Sequence, residues 1–540
     1  HRKFASKENF MITQLLKKKP GYAALIWIAL CSVAVGKFAS ISQNRTFQYD
    51  EWNFVMNRWQ FNPDTFLQPH NSHLSIFPAA VFFFLLRAVG LANYWVFLFV
   101  GFTTHIATAS IFAMLVSRRL GKTSALALGA LFLFLGAGAE NILWPFQIGT
   151  MASLSGYLLA IHFLNSQYHH RQLLTMIAIF VSIGSAGFGI AAVIGVAVQI
   201  ALSKQIKKSW WVIVVPSALW LLWYLNYGQS EAKLENLDLA LRYINESLAA
   251  SLSSIFALSI GWGFVFEIVL LATIIYFVAV KKVFSPLLAG LITVLLTNWF
   301  FTALSRAQFW APQSSRYLYF SIPLVFLICV ELSRSFPRPQ LNVAAIIISL
   351  WSITAGWTHF ESHASWLRDW SSNVRAELSV LESRRGFVDP NYQPDLIRAP
   401  DIVTNKYFSA LRALKSSPAL DAAKLRTSSA ATRIEVDRVL LETEVLAITQ
   451  PKKSASFCKT GVSATDFLTL PGTSTAIASP DGDIEIGFRN FGDTPSSVLK
   501  TFIPSGSQIT VSISSSLNQD MWIVTSLTPN KRVCIAPDLG

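Results

Sequence analysis

Charge is scarce in this chain. Asp, Glu, Lys and Arg make up only 14% of its 540 residues, against about 25% in a soluble domain. An ordinary water-soluble fold is excluded on that ground. Cysteine is rare too. There are four, and Cys31 and Cys329 fall inside apolar runs, where they read as small core hydrophobes. No strand precedes Gly184-Ser185-Ala186-Gly187-Phe188-Gly189, so this glycine-rich stretch is a tight turn between two apolar runs and not a nucleotide loop. An internal repeat is missing, which weighs against a transporter of the inverted-repeat kind. The first apolar run, Gly21–Ile41, is longer than a signal core and lacks a small-residue cleavage site, so it is expected to be a retained first helix and not a cleavable leader. His1 is not an initiator, and Met11 is expected to be the true start.

Apolar residues are abundant instead. They make up 52% of the chain, and the mean hydropathy is +0.44. Long apolar runs recur from Gly21 to Trp357, each near the ~20 residues that cross a bilayer as a helix. Backbone that satisfies its own hydrogen bonds crosses lipid at least cost, so the runs are expected to be helical. The formal charge of +14 points to the anionic cytoplasmic leaflet and not to nucleic acid, because the Lys and Arg cluster between the runs.

The spans read as Gly21–Ile41, Tyr94–Ser117, Ser124–Ala139, Phe146–Leu164, Gln172–Gly184, Phe188–Ser203, Trp210–Leu225, Ile255–Val280, Pro286–Leu304, Tyr317–Leu332 and Leu341–Trp357. The expected fold is therefore a mostly α, polytopic helical membrane protein of about 11 transmembrane helices. Positive-inside logic puts Lys17–Lys19, Arg118–Lys122, His169–Arg171, Lys204–Lys208, Lys281–Lys282 and Arg334–Arg338 on the cytoplasmic side, with the N-terminus in and the C-terminus out. That order holds if Leu74–Leu91, with Pro78 and Arg87, lies in the outer interface. If the segment crosses instead, Arg118–Lys122 lies outside. In the outer loop Tyr227–Ser254, the spacing of Leu234, Leu237, Leu241, Ile244 and Leu248 marks one apolar helix face, expected flat on the outer membrane surface.

Past Trp357 the composition turns polar. Four regions follow: a cytoplasmic arm at 1–20, a transmembrane module at 21–358 with a first outer loop at 42–93, an extracytoplasmic, mainly helical connector at 359–453, and a β domain at 454–540. Ile484–Phe488 and Gln508–Ile513 alternate apolar and polar residues between turn signals such as Ser479-Pro480-Asp481-Gly482, as in a small β-sandwich. Cys458 and Cys534 bracket this region. A disulfide between them is expected and needs an oxidising compartment.

Candidate chemistry concentrates in the outer loops. Asp50 and Glu51 sit side by side in Tyr49-Asp50-Glu51-Trp52, an acidic pair suited to general-base work or to holding a divalent ion such as Mg or Mn. Glu140 stands in the next outer loop, just ahead of Trp144-Pro145-Phe146-Gln147. Arg306 and Arg316 flank Gln308–Ser315 on the side where arginine is disfavoured, and guanidinium suits phosphate. Glu267 lies inside a span, where an ionisable group is usually functional. His70 and His73 are further candidates for substrate or metal. Trp52, Trp144, Trp310 and Gln147 are candidate sugar contacts. His359, Glu361 and His363 have metal-like spacing, with nothing to complete a site.

Between Gly21 and Trp357 the arrangement resembles the GT-C superfamily of membrane glycosyltransferases. It shares a first helix, a long first outer loop with an acidic motif, interface helices in that loop, and a polytopic module that leads to an extracytoplasmic domain. The resemblance implies that Asp50 is the catalytic acid with Glu51 beside it, and that Glu140 is the second-loop acid. Asn141 stands where a second carboxylate is usual, which puts metal dependence in doubt. It also implies a polyprenyl-phosphate-linked sugar as donor, and a glycan, lipid or protein as extracytoplasmic acceptor. Arg316-Tyr317 resembles an Arg-Tyr pair of the superfamily. Two other readings stay open: a transporter or flippase of lipid-linked glycans, and a non-catalytic membrane scaffold whose β domain binds glycan.

Overall fold

In the computed structural model, residues 21–309, 312–333, 336–443, 446–449, 457–460, 465–469, 474–495, 500–513 and 522–538 are described. Lys17–Lys19, Trp310 and Arg334 lie outside them. The chain forms two units: 1–43, 61–81 and 96–364 make one, and 44–60, 82–95 and 365–540 the other.

The first unit is helical. Among the described residues, seven helices are long and apolar enough to cross a membrane: Tyr22–Ile41, Tyr94–Leu120, Ile206–Tyr227, Ile260–Val280, Pro286–Arg306, Ser315–Leu332 and Arg338–Ser383. The first residues of Tyr94–Leu120 and the end of Arg338–Ser383 belong to the second unit. The remaining four expected spans differ in form. Ser124–Ala139 is a bent pair, Lys122–Leu133 and Gly136–Leu143, broken by 42°. Glycine is required at the break: a Cβ on Gly136 would lie 2.1 Å from the Gly356 carbonyl oxygen. The other three are the shorter helices Ile148–Leu164, Arg171–Ile183 and Phe188–Leu202. Leu74–Leu91 is helical over Ile76–Val89. At 14 residues it spans about 21 Å, short of the ~30 Å hydrocarbon layer.

Large apolar side chains remain uncovered on this unit, including Leu225 at 73%, Ile268 at 70% and Ile275 at 65%. Such a belt is costly in water and suits lipid. The helix Leu237–Ile255 has the expected amphipathic form, with Leu237, Leu239 and Leu241 exposed and Leu252 buried. Leu234 and Leu241 are 80% and 82% exposed, while Ala240, Tyr243 and Ser251 face the protein.

The second unit joins the end of Arg338–Ser383 to Glu51–Asn57, Thr404–Leu414, Ala422–Arg426, Ala430–Glu442 and two antiparallel sheets. The strands are β1 Leu446–Thr449, β2 Phe457–Thr460, β3 Thr465–Thr469, β4 Ser474–Ser479, β5 Ile484–Arg489, β6 Lys500–Ile503, β7 Ser507–Ile513, β8 Trp522–Ser526 and β9 Arg532–Asp538. Their orders are β1-β7-β4-β9-β2 and β3-β8-β5-β6. Ile477, Val511 and Val533 from the first sheet share a core with Ile486, Phe488, Trp522 and Val524 from the second, as in a sandwich. The same core takes in Ala376, Val380, Val436 and Leu440 from helices. The connector and the β region are thus packed as one body. Cys458 and Cys534 face each other across β2 and β9 and are disulfide-bonded.

Candidate functional site

One cavity of the first unit gathers several of the residues singled out by sequence. It holds about 430 Å³. Arg306 comes from the last turn of Pro286–Arg306 and Arg316 from the first turn of Ser315–Leu332. Each guanidinium meets a carboxylate. Arg316 Nη2 lies 2.9 Å from Glu140 Oε1, and Arg306 pairs with Glu231. Both arginine side chains stay 32% exposed, so each offers an open edge to the cavity.

Local structure fixes these groups. The Ser315 hydroxyl accepts from the Glu140 backbone N–H at 3.1 Å and donates to the Ala137 carbonyl at 2.7 Å. That clamp sets Glu140 against the start of the Arg316 helix. Glu140 therefore sits in a short helix, Ala139–Leu143, and not in an open loop. On the other side, Lys233 N–H and Asn236 Nδ2 both donate to the Leu304 carbonyl, at 2.9 and 2.8 Å. This ties the Glu231 strip to the helix end that carries Arg306.

His73 lines the same cavity. His70 and His73 pair through both backbone hydrogen bonds, with Asn71 and Ser72 at φ 46° and 63° between them. That is a tight primed turn, and it tolerates Asn well. The His73 ring packs on Gly187, where a Cβ would come within 2.6 Å of it. Although part of the ring faces the open cavity, enclosure on its other sides lowers its pKa to about 4. The Glu231 carboxylate pulls the other way, and the smaller Arg306 and His70 contributions add to the lowering, so enclosure is the effect that wins. His73 is neutral at pH 7. Trp220 and Tyr224, stacked at 5.2 Å, complete the wall, with Gln147 and Tyr317.

Other candidates go elsewhere. Asp50 and Glu51 belong to the second unit and point different ways. Glu51 is fully buried. It accepts from the Tyr94 hydroxyl at 3.1 and 2.9 Å and from the Gln48 N–H at 2.8 Å. A carboxylate so enclosed holds the loop and does not meet substrate. Asp50 starts the helix Glu51–Asn57 and is partly exposed. Trp52 is fully buried, edge-on to Phe47 and Tyr407, and Trp144 is 6% exposed. Neither can stack on a sugar, because both rings are spent on core packing. His70 is buried edge-on to Phe146. Glu267 is buried on Ile260–Ile275 and does not line the cavity. Among the described residues, no group of three or more His, Cys, Asp or Glu is placed to hold a metal ion. Glu361 accepts from Trp357 Nε1 at 2.8 Å.

Glu231, Trp220 and Tyr224 were missed by sequence reasoning. The available signal was an acid in the loop Tyr227–Ser254, assigned to the same side as Arg306 and just past an aromatic helix end. No family model matches the chain, and no curated protein matches it in sequence.

Proposed function

We propose that this chain is a membrane glycosyltransferase of GT-C type. It moves a sugar from a polyprenyl-phosphate donor to an extracytoplasmic glycan, lipid or protein. The observation that supports this reading is the convergence of Arg306 and Arg316 on one cavity, each beside a carboxylate and each a third exposed. In this reading the cavity opens to the extracytoplasmic side of the cell membrane, about eleven segments cross the bilayer, and the C-terminal unit lies outside.

The two guanidiniums bind the donor phosphate through bidentate N–H···O bonds. The acceptor hydroxyl oxygen bonds to the anomeric carbon. The bond from that carbon to the phosphate oxygen breaks, and its electron pair stays on the phosphate, where the arginines stabilise the growing charge. As phosphate claims part of Arg316, Glu140, which stands behind that guanidinium and not in the cavity lining, is released towards the cavity to take the acceptor proton. Neutral His73 and Gln147 are placed to hydrogen-bond sugar hydroxyls, and the Trp220–Tyr224 stack offers an aromatic face.

The test is transfer from a synthetic polyprenyl-phosphate sugar by purified protein. Glu140→Gln should lower turnover by about 10²–10⁴-fold while the protein still binds polyprenyl phosphate. Asp50→Asn, the residue the superfamily resemblance favours, is run beside it. Full turnover by Glu140→Gln with loss in Asp50→Asn would move the base to Asp50. Full turnover in both would end the catalytic reading.

A further inference from the structure

A second cleft lies wholly within the C-terminal unit. It holds about 660 Å³, and Trp366, Asp369, Trp370, Asn373, Gln393 and Arg398 are among its lining residues. The first four repeat at helical spacing along Arg338–Ser383, so they share one face. Trp366 and Trp370 lie 4.6 Å apart at 57°, and Trp366 is 48% exposed. Trp370 is pinned: its Nε1 donates to the Arg398 carbonyl at 3.2 Å. The Tyr49 N–H donates to the same carbonyl at 3.1 Å, and its ring sits 6.1 Å from Trp370.

Polar groups beside these rings are ready for a ligand. Asp369 is exposed and makes no bond to another described residue. Asn373 accepts from Thr432 on its oxygen, which leaves its amide hydrogens unused. The deeper guanidiniums are already paired. Arg398 pairs with Glu377, Asp395 and Glu435 at 3.0, 2.6 and 3.2 Å. Arg438 pairs with Glu377, Glu435 and Glu442 at 3.1, 2.6 and 2.7 Å. Four carboxylates line the cleft against two guanidiniums. A net-acidic floor repels phosphate and anionic lipid. An aromatic face flanked by an unpaired carboxylate and an amide suits a ligand with apolar C–H faces and many hydroxyls.

We propose that this cleft binds a neutral oligosaccharide, with one pyranose ring on Trp366 and its hydroxyls donating to Asp369. The site is separate from the cavity of the proposed transferase, and the two carry separate readouts, binding and turnover.

The test is calorimetric titration of the full chain in a detergent without a sugar headgroup. The probes are maltohexaose, cellohexaose and α-1,6-mannohexaose. At least one should bind. Trp366→Ala should weaken it tenfold or more, Asp369→Asn several-fold, and Trp366→Phe least. The melting temperature of each variant is read beside binding, and Trp366→Phe keeps a ring at the site, so a folding defect is told apart from loss of the binding face. If none of the three binds, or if Trp366→Ala binds as the parent does, the proposal is overturned. Trp366-dependent binding of dihexanoyl phosphatidylglycerol would assign the cleft to lipid and overturn it as well.

Discussion

The two units use arginine in opposite ways. In the first, Arg306 and Arg316 each meet a glutamate beside an open cavity. In the second, Arg398 and Arg438 share Glu377 and Glu435, and each adds one more carboxylate. The Arg306–Glu231 pair is about a third exposed on both sides, and such a pair is worth little to stability, so it can exchange partners at small cost. A cross-braced network with a buried member loses several bonds when one partner goes, and leaves a charge without compensation. The first arrangement suits turnover and the second suits holding a fold.

Glu140→Gln offers the strongest way to break this contrast. Turnover should fall by about 10²–10⁴-fold, the share of a positioned base, with the melting temperature unchanged. A fall in melting temperature with intact turnover would make Glu140 structural. Next is the disulfide. Reducing Cys458–Cys534, 76 residues apart in sequence, should destabilise the C-terminal unit by about 4 kcal/mol in the chain-entropy model. The helices of the first unit should keep their far-ultraviolet signal at that point. Arg438→Ala should cost the C-terminal unit about 3 kcal/mol, read by chemical denaturation. A stable Arg438→Ala protein would mean that the network is as loose as the cavity pairs. The finest test is Arg316→Lys, which keeps the charge and loses the planar fork. Its donor use should fall about tenfold, which is ~1.4 kcal/mol, and Arg316→Ala should fall further. Equal kinetics in the two would remove the bidentate argument.

The sequence made much of this readable where one physical rule dominates. A bilayer demands ~20 apolar residues, and seven such helices are present among the described residues. Alternation announced the strands, and the cysteines bracketing them are bonded. What was hidden depends on distant contacts. The need for glycine at 136 comes from its close approach to Gly356, far along the chain. Residues 44–60 and 82–95 group with the C-terminal unit, and no local pattern announces that. Trp52 beside two acids read as a ligand contact, yet its ring is core. Glu231 looked like any loop acid until the Leu304 carbonyl drew its strip to the end of the Arg306 helix.

The meeting of Gly136 and Gly356 sets unequal rules for inheritance at the two codons. A methyl at 136 would lie 2.1 Å from the opposing carbonyl oxygen, whereas one at 356 would sit 3.3 Å from the nearest atom. The first collision is with backbone and has no rotamer to relieve it. The second asks for a shift of a few tenths of an ångström. In a saturation library selected for function, codon 136 should return glycine alone. Codon 356 should also admit alanine, and revertants of 136 should be true reversions instead of compensations at 356.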